Sequence, residues 1–433
     1  MPLRHISHIW SATLRHKRGP PEGTDMPDPI SHAPDSALAR LAPTMTLTDR
    51  QQALKAEVMA FCRAHRGDDH ALFIIEGDAG TGKSLLLNSL FTAIQDAARG
   101  RDPHDPLHGS RNWLLVNHPE MIKLYRNISE TESCLRKKDF ERPTTFINQM
   151  SAHDGRADIV LVDEAHLLLT RSDPYNRFRQ DNQLAEIIRH AHVVVIIFDA
   201  YQVLKFKSLW NDATLARLVA GYPVVTRRLD QQFRVHAHAD VMAWIHALRD
   251  GRLLPLPAPQ PFDFRIFDDA QAMYEDIRQR NTQYGLCRML ATYDYPYTLN
   301  GHDHFITEGR FHLRWDRAMP QARLPWAERP DTIDEVGSVY TIQGFDLNYA
   351  GVILGPSVTY DPAADRIVID PSRYEDRAAF TGRDGVADPQ AVMERIILNS
   401  INVLMTRGVR GLYIYASDPR LHARLAALWK ARA

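Results

Sequence analysis

The chain is expected to be an α/β protein of two parallel-sheet lobes behind a disordered N-terminal extension. Three observations predict this. Short apolar β-forming runs alternate with helical stretches from about residue 47 to the C-terminus, and such alternation builds parallel sheets covered on both faces. The first of these strands runs into Gly77-Asp78-Ala79-Gly80-Thr81-Gly82-Lys83-Ser84, a complete G-x-x-x-x-G-K-S phosphate loop that opens a helix. A later strand ends in the carboxylate pair Asp163-Glu164, and ligands of open α/β sheets bind beyond the carboxyl ends of the strands.

Residues 1–44 carry Pro20, Pro21, Pro27, Pro29, Pro34 and Pro43 with scattered charge and no periodic apolar pattern, so they are expected to be disordered. They contain no apolar stretch with a cleavage-like site, which argues against a secretory signal, and Met26 and Met45 offer alternative starts. Order is expected to begin near Leu47, where Thr48 or Asp49 can cap a helix running to about Arg66. Strands are predicted at 71–76, 112–117, 159–164 and 193–199, with a helix at 182–190 among the segments between them. These make a first lobe over residues 45–226.

The second lobe is placed at 227–433. It is predicted to hold a helix at 238–249, a proline-rich stretch at 255–261, a strand at 264–267, a helix at 269–280 and a strand at 287–291. A buried strand at 351–355, a helix at 395–406 and a last strand at 411–415 follow. The alternation repeats without a second phosphate loop. Two RecA-like lobes sharing one nucleotide site is the architecture this implies.

Composition narrows the classes. Of 433 residues, 44% are hydrophobic and 24% charged, the balance of a soluble globular protein. The net charge is -1, so no global basic field announces nucleic acid, and any such binding must use a local patch. Cys62, Cys134 and Cys287 lie far apart without C-x-x-C spacing, which argues against a disulfide framework or zinc site and fits a reducing cytosol. No apolar run is long enough for a membrane span. A cytoplasmic protein without a membrane partner is expected.

The loop glycines let the backbone wrap phosphate oxygens with its N–H groups inward, and the helix start adds unpaired donors and a positive dipole end. Gly77, Asp78, Ala79, Gly80, Thr81, Gly82, Lys83 and Ser84 are therefore expected to bind ATP, Lys83 reaching the β- and γ-phosphates and Ser84 holding Mg²⁺. Asp163 is expected to bind Mg²⁺, directly or through water, and Glu164 to orient and deprotonate the attacking water. Asp199 and Gln202 close the next strand, where they can sense the γ-phosphate. Arg234 and Arg407 are candidates to reach across a cleft to the nucleotide, Arg407 following a helix end where Gly408 would free the backbone.

Taken in order, these segments resemble superfamily-one helicases. Gln51 resembles their adenine-reading glutamine, Leu229-Asp230-Gln231-Gln232-Phe233-Arg234 their fourth motif, Tyr340-Thr341-Ile342-Gln343-Gly344-Phe345-Asp346 their fifth and Leu404-Met405-Thr406-Arg407 their sixth. Asp163-Glu164-Ala165-His166 has the letters of superfamily two, whose closing two-arginine motif is missing here. More narrowly, T-I-Q-G-F-D with N-V-L-M-T-R-G-V-R-G resembles the Schlafen-like (group 3) DNA/RNA helicase domain, from about Leu47 to the C-terminus.

The resemblance implies ATP hydrolysis, with Mg²⁺, coupled to binding of DNA or RNA, in single-stranded form. It makes Gln51 the adenine reader, Gln202 the γ-phosphate sensor, and Arg234 and Arg407 the trans-cleft arginines. Gln343 and Gly344 would bind nucleotide and couple it to the strand. Asn117 and His118 are candidate strand contacts by position. Tyr293, Tyr295, Tyr297 and Trp315 serve either a strand or the packing of the second lobe. The large accessory insertions of processive helicases are missing, which leaves translocation or a nucleic-acid-gated switch open beside unwinding. The rival expectation is a signalling or regulatory P-loop NTPase that switches a protein partner without nucleic acid. A third is a nucleic-acid-binding module with slow hydrolysis. His302, His304 and His312, in a polar loop without matching ligand spacing, are read as no metal site.

Overall fold

The computed structural model describes residues 36–42, 45–77, 80–229, 239–258, 261–298, 302–317 and 319–432. The first sheet is built from β1 (Ala71–Gly77), β2 (Asn112–Val116), β3 (Phe140–Glu141), β4 (Ala157–Asp163), β5 (Ala191–Phe198) and β6 (Val224–Leu229). Their spatial order is β3-β2-β4-β5-β1-β6, and every neighbouring pair is parallel. Helices α1 (Ala37–Leu41), α2 (Asp49–His65), α3 (Lys83–Arg99), α4 (Pro119–Ile128), α5 (Pro143–Ala152), α6 (Gln183–Arg189) and α7 (Asp212–Val219) accompany it. Burial follows the strand period of two. Phe73, Ile75, Leu161 and Val195 pack into one apolar cluster, while Leu72, Ile74, Val160 and Val194 pack into another. A strand buried on both sides must be apolar throughout, which is why these runs read so clearly in the sequence.

The second sheet contains β7 (Asp263–Ile266), β8 (Cys287–Ala291), β9 (His304–Glu308), β10 (Phe311–Trp315), β11 (Glu335–Gly337) and β12 (Leu347–Leu354). A separate hairpin, β13 (Val358–Asp361) with β14 (Arg366–Ile369), precedes its last strand, β15 (Gly408–Ala416). The order is β7-β15-β12-β8-β11-β10-β9, parallel except for the antiparallel pair β9–β10. Helices α8 (Ala239–Arg249), α9 (Ala270–Tyr284), α10 (Val339–Ile342), α11 (Pro389–Met405) and α12 (Pro419–Arg432) belong to this half. The chain is thus the two-lobed parallel α/β fold that the sequence predicted. No helix among the described residues is long and apolar enough to cross a membrane.

Two expectations need correction. A boundary between residues 226 and 227 falls inside β6, which pairs with β1 along its length up to Gly77–Leu229, so the first sheet runs to Leu229. The expected disordered extension also reaches too far. Within it, α1 docks on the first lobe, where Asn88 Nδ2 donates to the Leu41 carbonyl at 2.6 Å, and Arg40 donates to Asn348 Oδ1 of the second sheet at 2.7 Å. The remainder of that expectation, residues 1–35 with 43 and 44, lies outside the described residues.

The lobes meet through a continuous apolar cluster that joins α3 and α4 to Trp326, Phe345, β12 and α11. Polar contacts flank it. The Trp326 amide donates to Glu120 Oε2 at 2.8 Å, Asn399 Nδ2 to the Val203 carbonyl at 2.9 Å, and the Phe206 amide to the Ala379 carbonyl at 2.9 Å.

Candidate active site

The phosphate loop leaves β1 and turns into α3 through Gly80 and Gly82, whose φ of 87° and 72° belong to the left-handed region that glycine enters without strain. Gly82 is the N-cap of α3, so the first turn of the helix presents its N–H groups toward the loop. Lys83 is buried; its ammonium donates to the Gly77 carbonyl at 2.7 Å and lies 3.4 Å from Asp199 Oδ2. Asp78 and Ala79, expected to line the loop, lie outside the described residues.

Thr48 caps α2, and Gln51 completes a capping box by accepting from the Thr48 amide at 3.0 Å. The same Gln51 side chain donates to the Thr81 carbonyl at 3.3 Å. The proposed adenine reader is therefore tied both to its own helix and to the loop it would serve.

Because β5 lies between β1 and β4, the residues ending β4 and β5 converge on the loop from one side. Asp163 Oδ2 accepts from the Tyr125 hydroxyl at 2.7 Å, and Asp163 Oδ1 accepts from the Glu164 amide at 3.0 Å. The side chain of Ser84 interacts with the same Tyr125 hydroxyl. Ser84 and Asp163 thus both neighbour Tyr125, and together they offer a pair of hard oxygen donors of the kind Mg²⁺ takes. Burial, then the charge of Glu164, raises the Asp163 carboxyl well above its usual range. Two buried carboxylates side by side call for a cation, so the residues present fit Mg²⁺.

Glu164 adopts φ 51° and ψ 49°, a left-handed conformation costly for a residue with a Cβ and typical of functional sites. Its carboxylate lies 3.0 Å from His166 Nε2. Burial alone would raise this carboxyl, but the His166 ring, Lys83 and Arg407 together hold it below the usual carboxylate range. It is ionised at neutral pH, as a proton acceptor must be.

Gln202 donates to Asp199 Oδ2 at 2.6 Å, so Asp199 links it to Lys83. From the second lobe, Gln343 Nε2 comes within 3.0 Å of His166 Nε2. Gly344 follows with φ 84°, and a Cβ there would meet the Met121 side chain of α4 at 2.7 Å. Gly344→Ala is therefore expected to lower the thermal midpoint by a few degrees, roughly 1–3 kcal/mol of overpacking and strain. An unchanged midpoint in a thermal melt would mean that α4 yields freely there.

Arg407 is buried, with Nε donating to the Val403 carbonyl at 2.7 Å and Nη1 to that of Phe345 at 3.3 Å. Its charge is felt at Glu164. The glycine after it does not serve as a left-handed helix cap. Gly408 begins β15, and a Cβ there would collide with the Gly411 carbonyl. Arg234 and the rest of 230–238 lie outside the described residues.

The two residues expected to touch a strand are differently placed. Asn117 is half-buried and donates to the Leu167 carbonyl at 2.7 Å. His118 is buried as the N-cap of α4, its Nδ1 accepting from the Met121 amide at 3.2 Å. Burial pushes its imidazole down to about 4, so it is neutral at physiological pH and offers a phosphate no charge. Among the aromatic candidates, Trp315 and Tyr295 are buried, and Tyr293 sits edge-on to Trp315 at 5.3 Å. These three pack the second lobe. Among the described residues no group of three or more His, Cys, Asp or Glu could hold a metal ion.

Nothing in the sequence singles out Tyr125 or a role for His166. Tyr125 sits mid-helix among apolar neighbours, and nothing local links it to Asp163. His166 stands in view beside Glu164, but its partner Gln343 is 177 positions away.

The geometry is that of a helicase-like P-loop NTPase, in keeping with the family model that the chain matches. The chain is 46% identical over 411 residues to a Saccharomyces cerevisiae protein, Uncharacterized protein YPL245W, covering 88% of this chain and 90% of that one. In structure it is similar to the Pif1 helicase from Candida albicans, with TM-score 0.34 and 12% identity over 90% of this chain and 100% of the other. It is similar also to arterivirus nonstructural protein 10, a helicase solved with DNA, with TM-score 0.34 and 12% identity over 87% of this chain. The chain spans 65% of the length of that viral helicase chain. Residues 70–418 match the family model described as Schlafen group 3, DNA/RNA helicase domain, and the chain belongs to this family.

Proposed function

We propose that the protein is a Mg²⁺-dependent ATPase that couples hydrolysis to movement on, or remodelling of, DNA or RNA, with a single strand as its track. The observation that carries this reading is that Lys83, whose charge acts on both Asp163 and Glu164, shares a buried site with His166, which stands between Glu164 and Gln343 of the second lobe. In this reading the loop amides and Lys83 bind the triphosphate, and Gln51 holds the base. Ser84 and Asp163 hold the Mg²⁺, which would neutralise charge developing on the phosphates. Glu164 takes the proton of the attacking water, and Gln202 positions Lys83 through Asp199. Arg407 and Arg234 are the proposed trans-cleft arginines, and Gln343 with Gly344 reports the second lobe's position. The proposed domains are a nucleotide-binding lobe followed by a second lobe, working in the cytoplasm.

The test is steady-state ATP hydrolysis by the full chain, alone and with single-stranded DNA, duplex DNA and RNA, with Glu164→Gln as control. Stimulation by one nucleic acid, lost in the control, is the expected result and names the track. Hydrolysis indifferent to every nucleic acid would favour the second reading, a P-loop switch acting on a protein partner. The continuous apolar seam between the lobes lends that alternative some support, because a shared core resists the repeated opening that stepping requires.

A further inference from the structure

His166 lies between the catalytic carboxylate and the second lobe. It is fully buried, with Nε2 at 3.0 Å from Glu164 Oε2 on one side and 3.0 Å from the Gln343 side-chain amide on the other. A ring nitrogen carries either one proton or one lone pair. If Nε2 held a lone pair, it would face the lone pairs of the Glu164 carboxylate, and the proton would sit on Nδ1, which is buried without a hydrogen-bond partner. The Nε2–H tautomer avoids the first cost and leaves Nδ1 an unsatisfied acceptor in place of an unsatisfied donor. Its N–H then faces Gln343, whose facing group must be the amide oxygen, reached by a half-turn of the amide, while Glu164 Oε2, buried without an aligned hydrogen bond of its own, lies 3.0 Å from the same nitrogen. Gln343 Oε1 is itself a buried atom with no partner, which that half-turn would satisfy.

Glu164 needs such support. Its left-handed backbone aims the carboxylate away from the course a strand end would give it, and its amide is spent on Asp163. Gln343 is in turn placed by its neighbours: it caps the short helix α10 through its amide, donating to the Val339 carbonyl at 3.1 Å, and Gly344 beside it is pressed against Met121 of α4. Any shift of the second lobe along α4 therefore moves Gln343 relative to His166.

We propose that His166 is a positioning residue through which Gln343 of the second lobe sets the orientation of the Glu164 carboxylate, so that hydrolysis proceeds only when the lobes are seated as they are here. This rests on the reading of Glu164 as the base for ATP hydrolysis. In this reading His166 acts by placing the Glu164 carboxylate and takes no part in the reaction itself.

The experiment is a double-mutant cycle on steady-state ATP turnover with His166→Ala, Gln343→Ala and the pair, together with His166→Gln. The glutamine returns an N–H donor near the position of Nε2. His166→Ala is expected to lower kcat on the order of 10²-fold, the usual cost of misplacing a catalytic group by about 1 Å, with KM for ATP within a few-fold of wild type. Gln343→Ala should lower kcat in the same sense, and the pair should be no worse than His166→Ala alone, because both act through one chain of contacts. His166→Gln should recover most of the rate. Effects of the two single substitutions that multiply in the pair would overturn the proposal, as would a His166→Gln variant as slow as His166→Ala. A loss confined to KM would also overturn it. Because the cycle is read on turnover without nucleic acid, a wild type that hydrolyses ATP but ignores DNA and RNA would sink the motor reading and still decide this one. A wild type that hydrolyses no ATP would remove both.

Discussion

Lys83→Ala is expected to abolish measurable ATP turnover, a loss on the order of 10³-fold, because a buried cation aimed at the transferring phosphoryl group is worth most where water is excluded. Lys83 is buried, and its ammonium already rests on the Gly77 carbonyl and near Asp199. A bound triphosphate would compete for that same ammonium. The substitution also leaves Asp199 without its nearest cation, so some loss of stability is expected alongside. Lys83→Met, which keeps the aliphatic stem, separates the two effects. It should match Lys83→Ala in turnover, measured by phosphate release, while melting closer to wild type. Turnover within threefold of wild type in either variant would remove Lys83 from the reaction.

The second large effect is expected at Glu164. Glu164→Gln keeps the shape and removes the proton acceptor, so kcat should fall by about 10²–10⁴-fold, the range for loss of a general base. Nucleotide binding, read by titration with a fluorescent ATP analogue, should stay within a few-fold, since Lys83 and the loop are untouched. The neutral amide also lifts the like-charge pressure on Asp163, whose carboxyl is raised by burial and by Glu164. Mg²⁺ affinity should therefore fall modestly in the variant, because one negative charge has left the pocket. Loss of ATP binding with little change in kcat would assign Glu164 to ground-state binding instead.

Both predictions concern residues that their immediate neighbours in the chain are enough to identify, and the reason is physical. A phosphate loop needs particular glycines, one lysine and one hydroxyl in consecutive positions, and a metal-holding carboxylate pair needs the end of a buried strand. Such requirements are local. The Thr48 cap and the Gln51 side chain that completes it are legible for the same reason, since a capping box spans four residues. So are the buried strands β1, β4, β5, β8, β12 and β15, whose mainly apolar runs follow from burial on both faces.

The elements that leave no clear mark in the sequence share the opposite property. β6 has exposed residues over most of its length, so its membership of the first sheet rests on backbone pairing with β1 and not on an apolar run. The hairpin β9–β10 alternates only weakly, and β11 is too short to leave a pattern. Helix α1 is hidden by its proline-rich surroundings and is held by contacts to Asn88 and Asn348, far along the chain.

By itself, then, the sequence determined the class of fold, the phosphate loop, the carboxylate pair and the order of motifs across two lobes, because each of these is a local demand of backbone geometry or of phosphate chemistry. Only the tertiary structure decided that Tyr125 donates to Asp163, that His118 is an uncharged buried cap, and that His166 stands between Glu164 and Gln343. Those relations join positions on different strands and different lobes. They come into being when helices pack on the first sheet and the second lobe closes on it across one apolar seam, and no stretch of consecutive residues encodes them.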